Sequence, residues 1–177
     1  MSLFDSMKVR FVVVFFVIAS LSACVKAPSY PIIPAIEFKS VSSEVVKSGY
    51  SDTITFTFTD GDGDIGVNST DADSCGFCGL KTGDSSCLYI NSANIFLIDS
   101  RDNCVGTFAS PNLASTSQYK SISGEIQVIR AIDSKKCFTV PDPNCPFDTV
   151  TYTILLRDKA GHFSNTIQTV PIIIDGK

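Results

Sequence analysis

The segment Thr53–Gly66, TITFTFTDGDGDIG, is the most informative part of the chain, because two different patterns meet in it. In its first half, Ile54, Phe56 and Phe58 alternate with threonines, which is the period of two expected of a strand with one buried face. β-Branched and aromatic residues also suit a pleated, half-buried surface. The segment therefore predicts a strand whose isoleucine and phenylalanines face a core.

Five further segments have the character of strands. They are Ala35–Phe38, Ala93–Ile98, Glu125–Ile129, Thr149–Leu156 and Thr166–Ile174. Gly, Pro, Asp and Ser separate them, and no long window after the first residues of the chain shows helical periodicity. Strands without interleaved helices predict an all-β fold, an antiparallel β-sandwich of Greek-key type.

The start of the chain has the pattern of an export signal. Two basic residues precede nine apolar residues, Phe11–Ala19, a stretch too short to span a bilayer as a helix. The residues that follow, LSAC at Leu21–Cys24, resemble the lipobox of bacterial lipoproteins. This resemblance implies that residues 1–23 are a signal peptide that is removed, and that Cys24 carries a diacylglycerol lipid.

Residues 24–34 comprise the lipidated cysteine and a stretch with three prolines. Since proline favours extended chain, they predict a semi-rigid stalk that carries the domain clear of the lipid headgroups. Val25 and Lys26 give no acidic retention or export signal of the kinds known for lipoproteins. This favours lipid anchoring to the outer membrane, and leaves open whether the domain is periplasmic or surface-facing.

Residues 35–177 then form a single domain with a proper core. Removal of the signal peptide takes away Lys8, Arg10 and Asp5, so that 12 basic and 17 acidic residues remain of the 14 and 18 in the whole chain. The domain is therefore acidic, and it has no arginine-rich or lysine-rich run. These features argue against nucleic acid as a partner.

The cysteines also indicate an exported protein. Besides Cys24, an even number remains, namely Cys75, Cys78, Cys87, Cys104, Cys137 and Cys145. In an oxidising compartment they predict up to three disulfides, whose pairing the spacing leaves open. Cys137 and Cys145 flank a proline-rich loop and are the best local pair. The alternative is a zinc site at Cys75 and Cys78, which oxidising surroundings and the single histidine disfavour.

A second resemblance lies near the end of the chain. YTILLRDKAGHFSN, Tyr152–Asn165, resembles the penultimate strand and following turn of immunoglobulin-like and fibronectin type III domains. It implies a sandwich of about seven strands and a tyrosine corner at Tyr152, in which the hydroxyl bonds to upstream backbone. Together with DGDGDIG, Asp60–Gly66, it resembles small Gram-negative outer-membrane lipoproteins of unassigned function. A cysteine-rich loop insertion at about residues 67–90 departs from that pattern.

The aspartates predict a metal site if the immunoglobulin-like resemblance holds. In that fold the loop after the second strand and the loop before the last strand lie at the same end. Asp60, Asp62 and Asp64 would then face Asp158 and Asn165. Such an oxygen-rich cluster suits calcium, although the spacing is not that of an EF-hand. The alternative is a solvated turn, because tight turns use the same residues.

No convergent set of acid/base or nucleophilic residues is recognisable, which argues against an enzyme. We therefore expect a membrane-anchored, non-catalytic binding or structural module of the cell envelope, with calcium as its cofactor and an unknown envelope protein or glycan as its partner. The alternative is an adhesin or carbohydrate-binding surface lipoprotein. The chain contains no tryptophan, which weakens the case for an aromatic platform for sugars.

Overall fold

The computed structural model describes residues 29–67, 93–113, 120–137 and 143–177. Within these ranges the chain forms ten strands and no helix. The strands are β1 (Ala35–Val41), β2 (Val45–Lys47), β3 (Tyr50–Asp60), β4 (Ile95–Asp99), β5 (Val105–Phe108), β6 (Ile122–Ile132), β7 (Asp148–Val150), β8 (Tyr152–Leu156), β9 (Ile167–Gln168) and β10 (Ile172–Asp175).

The strands form three sheets, with the orders β1-β3-β6, β5-β4-β8-β9 and β2-β10-β7. All pairs are antiparallel except β2 and β10, which run parallel. The prediction of an all-β fold built from antiparallel sheets is confirmed, and the arrangement is consistent with a β-sandwich. The parallel pair is the exception to the antiparallel prediction.

Strand β3 has the alternation that the sequence predicts. Ile54 and Phe56 are fully buried, and Phe58 is 5% exposed. Three of the four threonines between and beside them are half-buried, while Thr55 is buried as well. The strand lies between β1 and β6 in its sheet, so its backbone is hydrogen-bonded on both edges. This central position explains why β3 is the strand that the sequence marks most clearly.

One hydrophobic core receives side chains from all three sheets. Strand β3 contributes Phe56, β4 contributes Leu97, β8 contributes Tyr152 and Ile154, and β10 contributes Ile172, each of them fully buried. Burial of a large apolar side chain stabilises a fold by about 1.5–3 kcal/mol. The sheets are therefore held together by apolar burial as well as by their hydrogen bonds.

The strand count exceeds the predicted seven because two segments change sheets in mid-course. The segment Thr149–Leu156 is interrupted at Thr151, so that β7 pairs with β10 whereas β8 pairs with β4. The segment Thr166–Ile174 is interrupted before β10, where Pro171 has no N–H to donate to a ladder. The short strands β2 and β5 show no alternation long enough to be predicted.

Several predictions fall outside the described residues. They concern the signal peptide, the lipidation site Cys24 and the insertion with Cys75, Cys78 and Cys87. In the ranges that are described, no helix is long and apolar enough to cross a membrane.

Candidate metal centre

The loop that leaves β3 is held tightly by its neighbours, and its glycines make this close approach feasible. A Cβ atom on Gly61 would lie 2.3 Å from the carbonyl oxygen of Tyr30, and one on Gly63 would lie 2.2 Å from that of Lys120. Gly63 also has a φ of 73°, which side chains rarely allow. The sequence DGDGD therefore alternates carboxylates with positions where neighbouring backbone leaves no room for a side chain.

A second segment, which follows β8, packs against this loop through backbone contacts. Ile65 and Asp158 form an antiparallel bridge. The N–H of Lys159 donates to the carbonyl of Asp64 at 3.3 Å, and the N–H of Ala160 donates to Oδ2 of Asp64 at 3.0 Å. The predicted placement of both acidic loops at one end of the domain therefore agrees with the structure. We call this end of the domain the acidic rim and define it by Asp60–Gly66 and Asp158–Asn165.

Three carboxylates converge at the acidic rim. Asp60, Asp64 and Asp158 each place an oxygen within 4.8 Å of the other two. Asp60 is fully buried, Asp158 is 3% exposed, and Asp64 is half-buried. At an effective dielectric constant of 20, two unit negative charges at this separation repel by about 3 kcal/mol. The fold therefore holds the three groups together against a considerable electrostatic cost.

Two of the converging oxygens have no partner within the described part of the chain. Oδ2 of Asp60 accepts the N–H of Asp64 at 3.0 Å, whereas its Oδ1 is buried without a hydrogen bond. Oδ1 of Asp64 is also buried without a hydrogen bond. A buried carboxylate oxygen without a donor is costly unless a cation compensates it. Both unsatisfied oxygens belong to residues of the converging group.

The pKa values have the direction expected of a crowded acidic site. Burial, followed by the charges of Asp62 and Asp64, raises the pKa of Asp60 from 3.8 to about 6. Burial and the charge of Asp158 likewise raise the pKa of Asp64. The carboxylate of Asp158 has hydrogen-bond donors of its own: it accepts the N–H of His162 at 2.7 Å and contacts Nδ1 of the same residue at 2.8 Å. This contact raises the pKa of His162.

The other two predicted ligands lie differently. Asp62 is exposed and does not belong to the converging group. The carboxamide of Asn165 is engaged by β1, since its Oδ1 accepts the N–H of Ile36 and its Nδ2 donates to the carbonyl of Ile36, both at 2.9 Å. Asn165 therefore ties the second loop to the edge of β1.

The donor set restricts the chemistry of the site. Three carboxylates from two loops offer only hard oxygen ligands, which suit Ca²⁺ or Mg²⁺ and not a metal that prefers nitrogen or sulfur. Ca²⁺ tolerates irregular geometry with six to eight oxygens, whereas Mg²⁺ requires a near-ideal octahedron. The predicted calcium ion is therefore compatible with the oxygen donors of Asp60, Asp64 and Asp158.

Of the predicted disulfides, the local pair is present. Cys137 and Cys145 are bonded, with their Cα atoms 6.0 Å apart. Cys104 is buried at the end of the turn between β4 and β5.

Tyr152 is fully buried, and the guanidinium carbon of Arg130 lies 5.1 Å from its ring centroid. In the described part of the chain, no hydrogen bond joins the Tyr152 hydroxyl to upstream backbone.

Sequence reasoning missed a second charged cluster, at the end of the domain opposite the acidic rim. Arg101 donates to Asp99 at 2.7 Å, to Asp148 at 2.8 Å and to the carbonyl of Asp133 at 2.8 Å. Burial opposes ionisation of both carboxylates, but it is outweighed by Arg101 at Asp99, and by the N–H of Lys135 together with Arg101 at Asp148, so that the pKa of each carboxylate is lowered. The cluster joins the turn after β4 to the start of β7. Its members are far apart in sequence, and the one local signal is the run Asp99–Asn103, whose composition is typical of a turn.

Comparison of the chain with protein-family models, with curated proteins and with solved structures returned no match.

Proposed function

We propose that this chain is an exported, lipid-anchored protein whose β-sandwich is a non-catalytic binding or structural module of the cell envelope, stabilised by calcium. The observation that carries the proposal is the convergence of Asp60, Asp64 and Asp158, with buried oxygens that lack hydrogen-bond donors. A calcium ion among them would supply the missing positive charge. It would also join the loop after β3 to the loop after β8.

The strand order supports an immunoglobulin-like or fibronectin type III-like topology for this module. One sheet has the order β1-β3-β6 and another has the order β5-β4-β8-β9, as expected when hairpin-connected strands divide between two layers. The interrupted edge segments β2 and β10 pair in parallel beside them. A rigid sandwich of this kind presents loops at its two ends, where binding residues are commonly placed.

The anchor is proposed from the sequence. A basic start, the apolar stretch Phe11–Ala19 and LSAC at Leu21–Cys24 support an acylated Cys24. The disulfide between Cys137 and Cys145 supports an oxidising compartment outside the cytoplasm. The outer membrane is the proposed location.

Two features favour a non-catalytic role. The converging carboxylates are largely closed to solvent, so that an ion fits the site better than a substrate does. A groove of about 330 Å³ between β5 and β6 is lined mainly by apolar residues, and Glu125 is the one titratable side chain among its described lining residues. A single exposed carboxylate does not provide the paired groups that acid–base catalysis uses.

Calcium-dependent thermal unfolding tests the metal site. We expect calcium to raise the melting temperature of the wild type and EDTA to lower it, with no calcium response in Asp64→Asn. Asp62→Asn is the matched control, because it removes an equal charge from an exposed position in the same loop. It should retain most of the response. Equal responses in both variants, or none in the wild type, would reject the site.

A surface for binding a protein or glycan is available at the end opposite the acidic rim. Tyr50 is 66% exposed and Phe147 is 54% exposed. Both lie near the Arg101 cluster, because Tyr50 pairs with Ile132 next to Asp133, and Phe147 precedes Asp148. This favours the adhesin or carbohydrate-binding alternative, which predicts that Tyr50→Ala removes binding on a glycan array. Binding unchanged by Tyr50→Ala and Phe147→Ala would exclude this surface.

A further inference from the structure

The segment that precedes β1 lies against the acidic rim. A Cβ atom on Gly61 would lie 2.3 Å from the carbonyl oxygen of Tyr30 and 2.6 Å from that of Pro31, and the hydroxyl of Tyr30 lies 3.4 Å from Oγ of Ser123 at the start of β6. Pro34 is buried. The last residues of the predicted stalk therefore pack along the domain, where the sequence suggested that they stand away from it.

Little chain separates this packed segment from the proposed lipid. Ser29 is the fifth residue after Cys24. Five fully extended residues span at most about 18 Å, whereas an eleven-residue strand such as β3 is about 36 Å long. The acidic rim is thus the end of the domain nearest the anchor, and the tether is too short to reach past the domain to its opposite end.

Two exposed apolar side chains lie in the same segment. Ile32 is 57% exposed and Ile33 is 55% exposed, although both precede a buried proline in a part of the chain that packs on the domain. Adjacent exposed isoleucines beside a lipid attachment point are suited to the boundary between headgroups and acyl chains.

We propose that the acidic rim rests on the bilayer that holds the acylated Cys24, with Ile32 and Ile33 in the headgroup boundary. The opposite end, with Tyr50 and Phe147, then faces away from the membrane. This orientation relies on the proposed lipid anchor. It deepens the proposed function, because it assigns one end of the module to lipid and the other to partners.

The charge at the acidic rim agrees with this orientation once calcium is bound. Within the acidic rim Lys159 stands against four aspartates, Asp60, Asp62, Asp64 and Asp158. When the exposed Lys120, whose carbonyl packs against Gly63, is counted with them, the local excess is two negative charges. A divalent cation cancels that excess. The calcium-bound rim therefore does not repel an anionic bilayer, whereas the calcium-free rim does.

Tryptophan fluorescence tests the orientation, because the chain has no tryptophan of its own. The full chain would be processed in a Gram-negative host and reconstituted with calcium into vesicles of phosphatidylethanolamine and phosphatidylglycerol. Ile33→Trp reports on the rim segment and Phe147→Trp on the opposite end. With lipids brominated in their acyl chains, we expect at least twofold stronger quenching of Ile33→Trp. Ile32→Trp provides a second reporter if Ile33→Trp does not fold.

The outcomes separate the orientation from the anchor. Vesicle flotation and the mass of the mature chain are measured first, and a chain that neither floats nor carries acyl groups overturns the proposed function and the orientation together. A floating chain with equal quenching at both positions, or stronger quenching of Phe147→Trp, overturns the orientation alone. Ile33→Trp with blue-shifted but unquenched emission also overturns it, since protein and not lipid would then cover the segment.

Discussion

Without calcium, the Asp60→Asn variant should be more stable than the wild type. With calcium present, it should be less stable than the wild type. Oδ1 of Asp60 is buried without a hydrogen bond, and the Asp60 carboxylate belongs to a group of three converging carboxylates. In Asp60→Asn, the side-chain oxygen can still accept the N–H of Asp64, while the new amide donates towards neighbouring carboxylate oxygens. The variant thus removes a buried charge and supplies a hydrogen-bond donor where one is missing.

The magnitude follows from the raised pKa of Asp60. An acid whose pKa is higher in the folded state binds its proton more tightly there, so its favourable contribution is complete below the unfolded pKa of 3.8 and is lost as the pH rises through about 6. At 1.36 kcal/mol per pKa unit this loss is at most about 3 kcal/mol, and solvent screening reduces it to roughly half. At 2–4 °C per kcal/mol, Asp60→Asn should raise the melting temperature by roughly 3–6 °C at pH 8 in EDTA.

Thermal unfolding at two pH values, with EDTA or calcium, measures the effect. At pH 4.5 in EDTA the gain should shrink, because Asp60 is then largely protonated in the folded wild type. In calcium at a hundredfold excess over its Kd, the wild type gains about 2.7 kcal/mol from binding and should overtake the variant. Asp62→Asn should give a smaller rise of the melting temperature in EDTA and a smaller loss of stabilisation by calcium than Asp60→Asn does. The reasoning is refuted if Asp60→Asn lowers the melting temperature in EDTA equally at pH 8 and pH 4.5.

Three further changes test other parts of the fold. Arg101→Ala leaves Asp99 and Asp148 buried without their main cation and should lower the free energy of unfolding, measured in urea at pH 7, by about 3–5 kcal/mol. Because the pKa values of both carboxylates are lowered in the folded state, the stabilisation they provide is present above the unfolded pKa and is lost as the pH falls. The difference between variant and wild type should therefore narrow towards pH 3, and a constant difference would contradict this role. Gly63→Ala should destabilise the fold by at least about 1 kcal/mol and weaken the calcium response, because its Cβ would meet the carbonyl of Lys120. Gly161→Ala is the control, since Gly161 also has a positive φ of 94° but has open space around it, and this variant should keep the calcium response. Similar calcium responses in both variants would show that the close approach at Gly63 does not matter. Replacing Cys137 and Cys145 by serine opens a loop of sequence separation 8 and should cost about 2.5 kcal/mol, measured as a lower urea midpoint, and an unchanged midpoint would show that the bond is not stabilising.

The sequence predicted those strands whose side chains alternate between core and surface. The alternation around Phe56 fixed β3 and its buried face, because a period of two places every second residue on the same side. It did not locate the change of sheet at Thr151, since the residues on either side of that position are equally suited to strands. Pairing partners depend on contacts between distant segments, which no local pattern specifies.

The candidate site was predictable in outline but not in detail. The resemblance to immunoglobulin-like domains placed the loops of Asp60 and Asp158 at one end, and the structure brings both side chains together. Beyond β3 the chain no longer alternates, so the DGDGD pattern could not tell that Asp62 is exposed while Asp64 turns inward. Nor could the pattern show that Asn165 is engaged by the edge of β1, which offers it a backbone donor and acceptor at Ile36.

The position of the carboxylates indicates that calcium would be a component of the folded state more than a rapid sensor. Asp60 and the side chain of Asp158 are closed to solvent and belong to two different segments, so separation of the loop after β3 from the loop after β8 would release an ion held between them. Their separation would break the bridge between Ile65 and Asp158 and the bond from Ala160 to Asp64. It would also disturb the contact of Gly61 with the segment that leads to the anchor. Ion release and loosening of the tether should therefore occur together, because both depend on the same short loop.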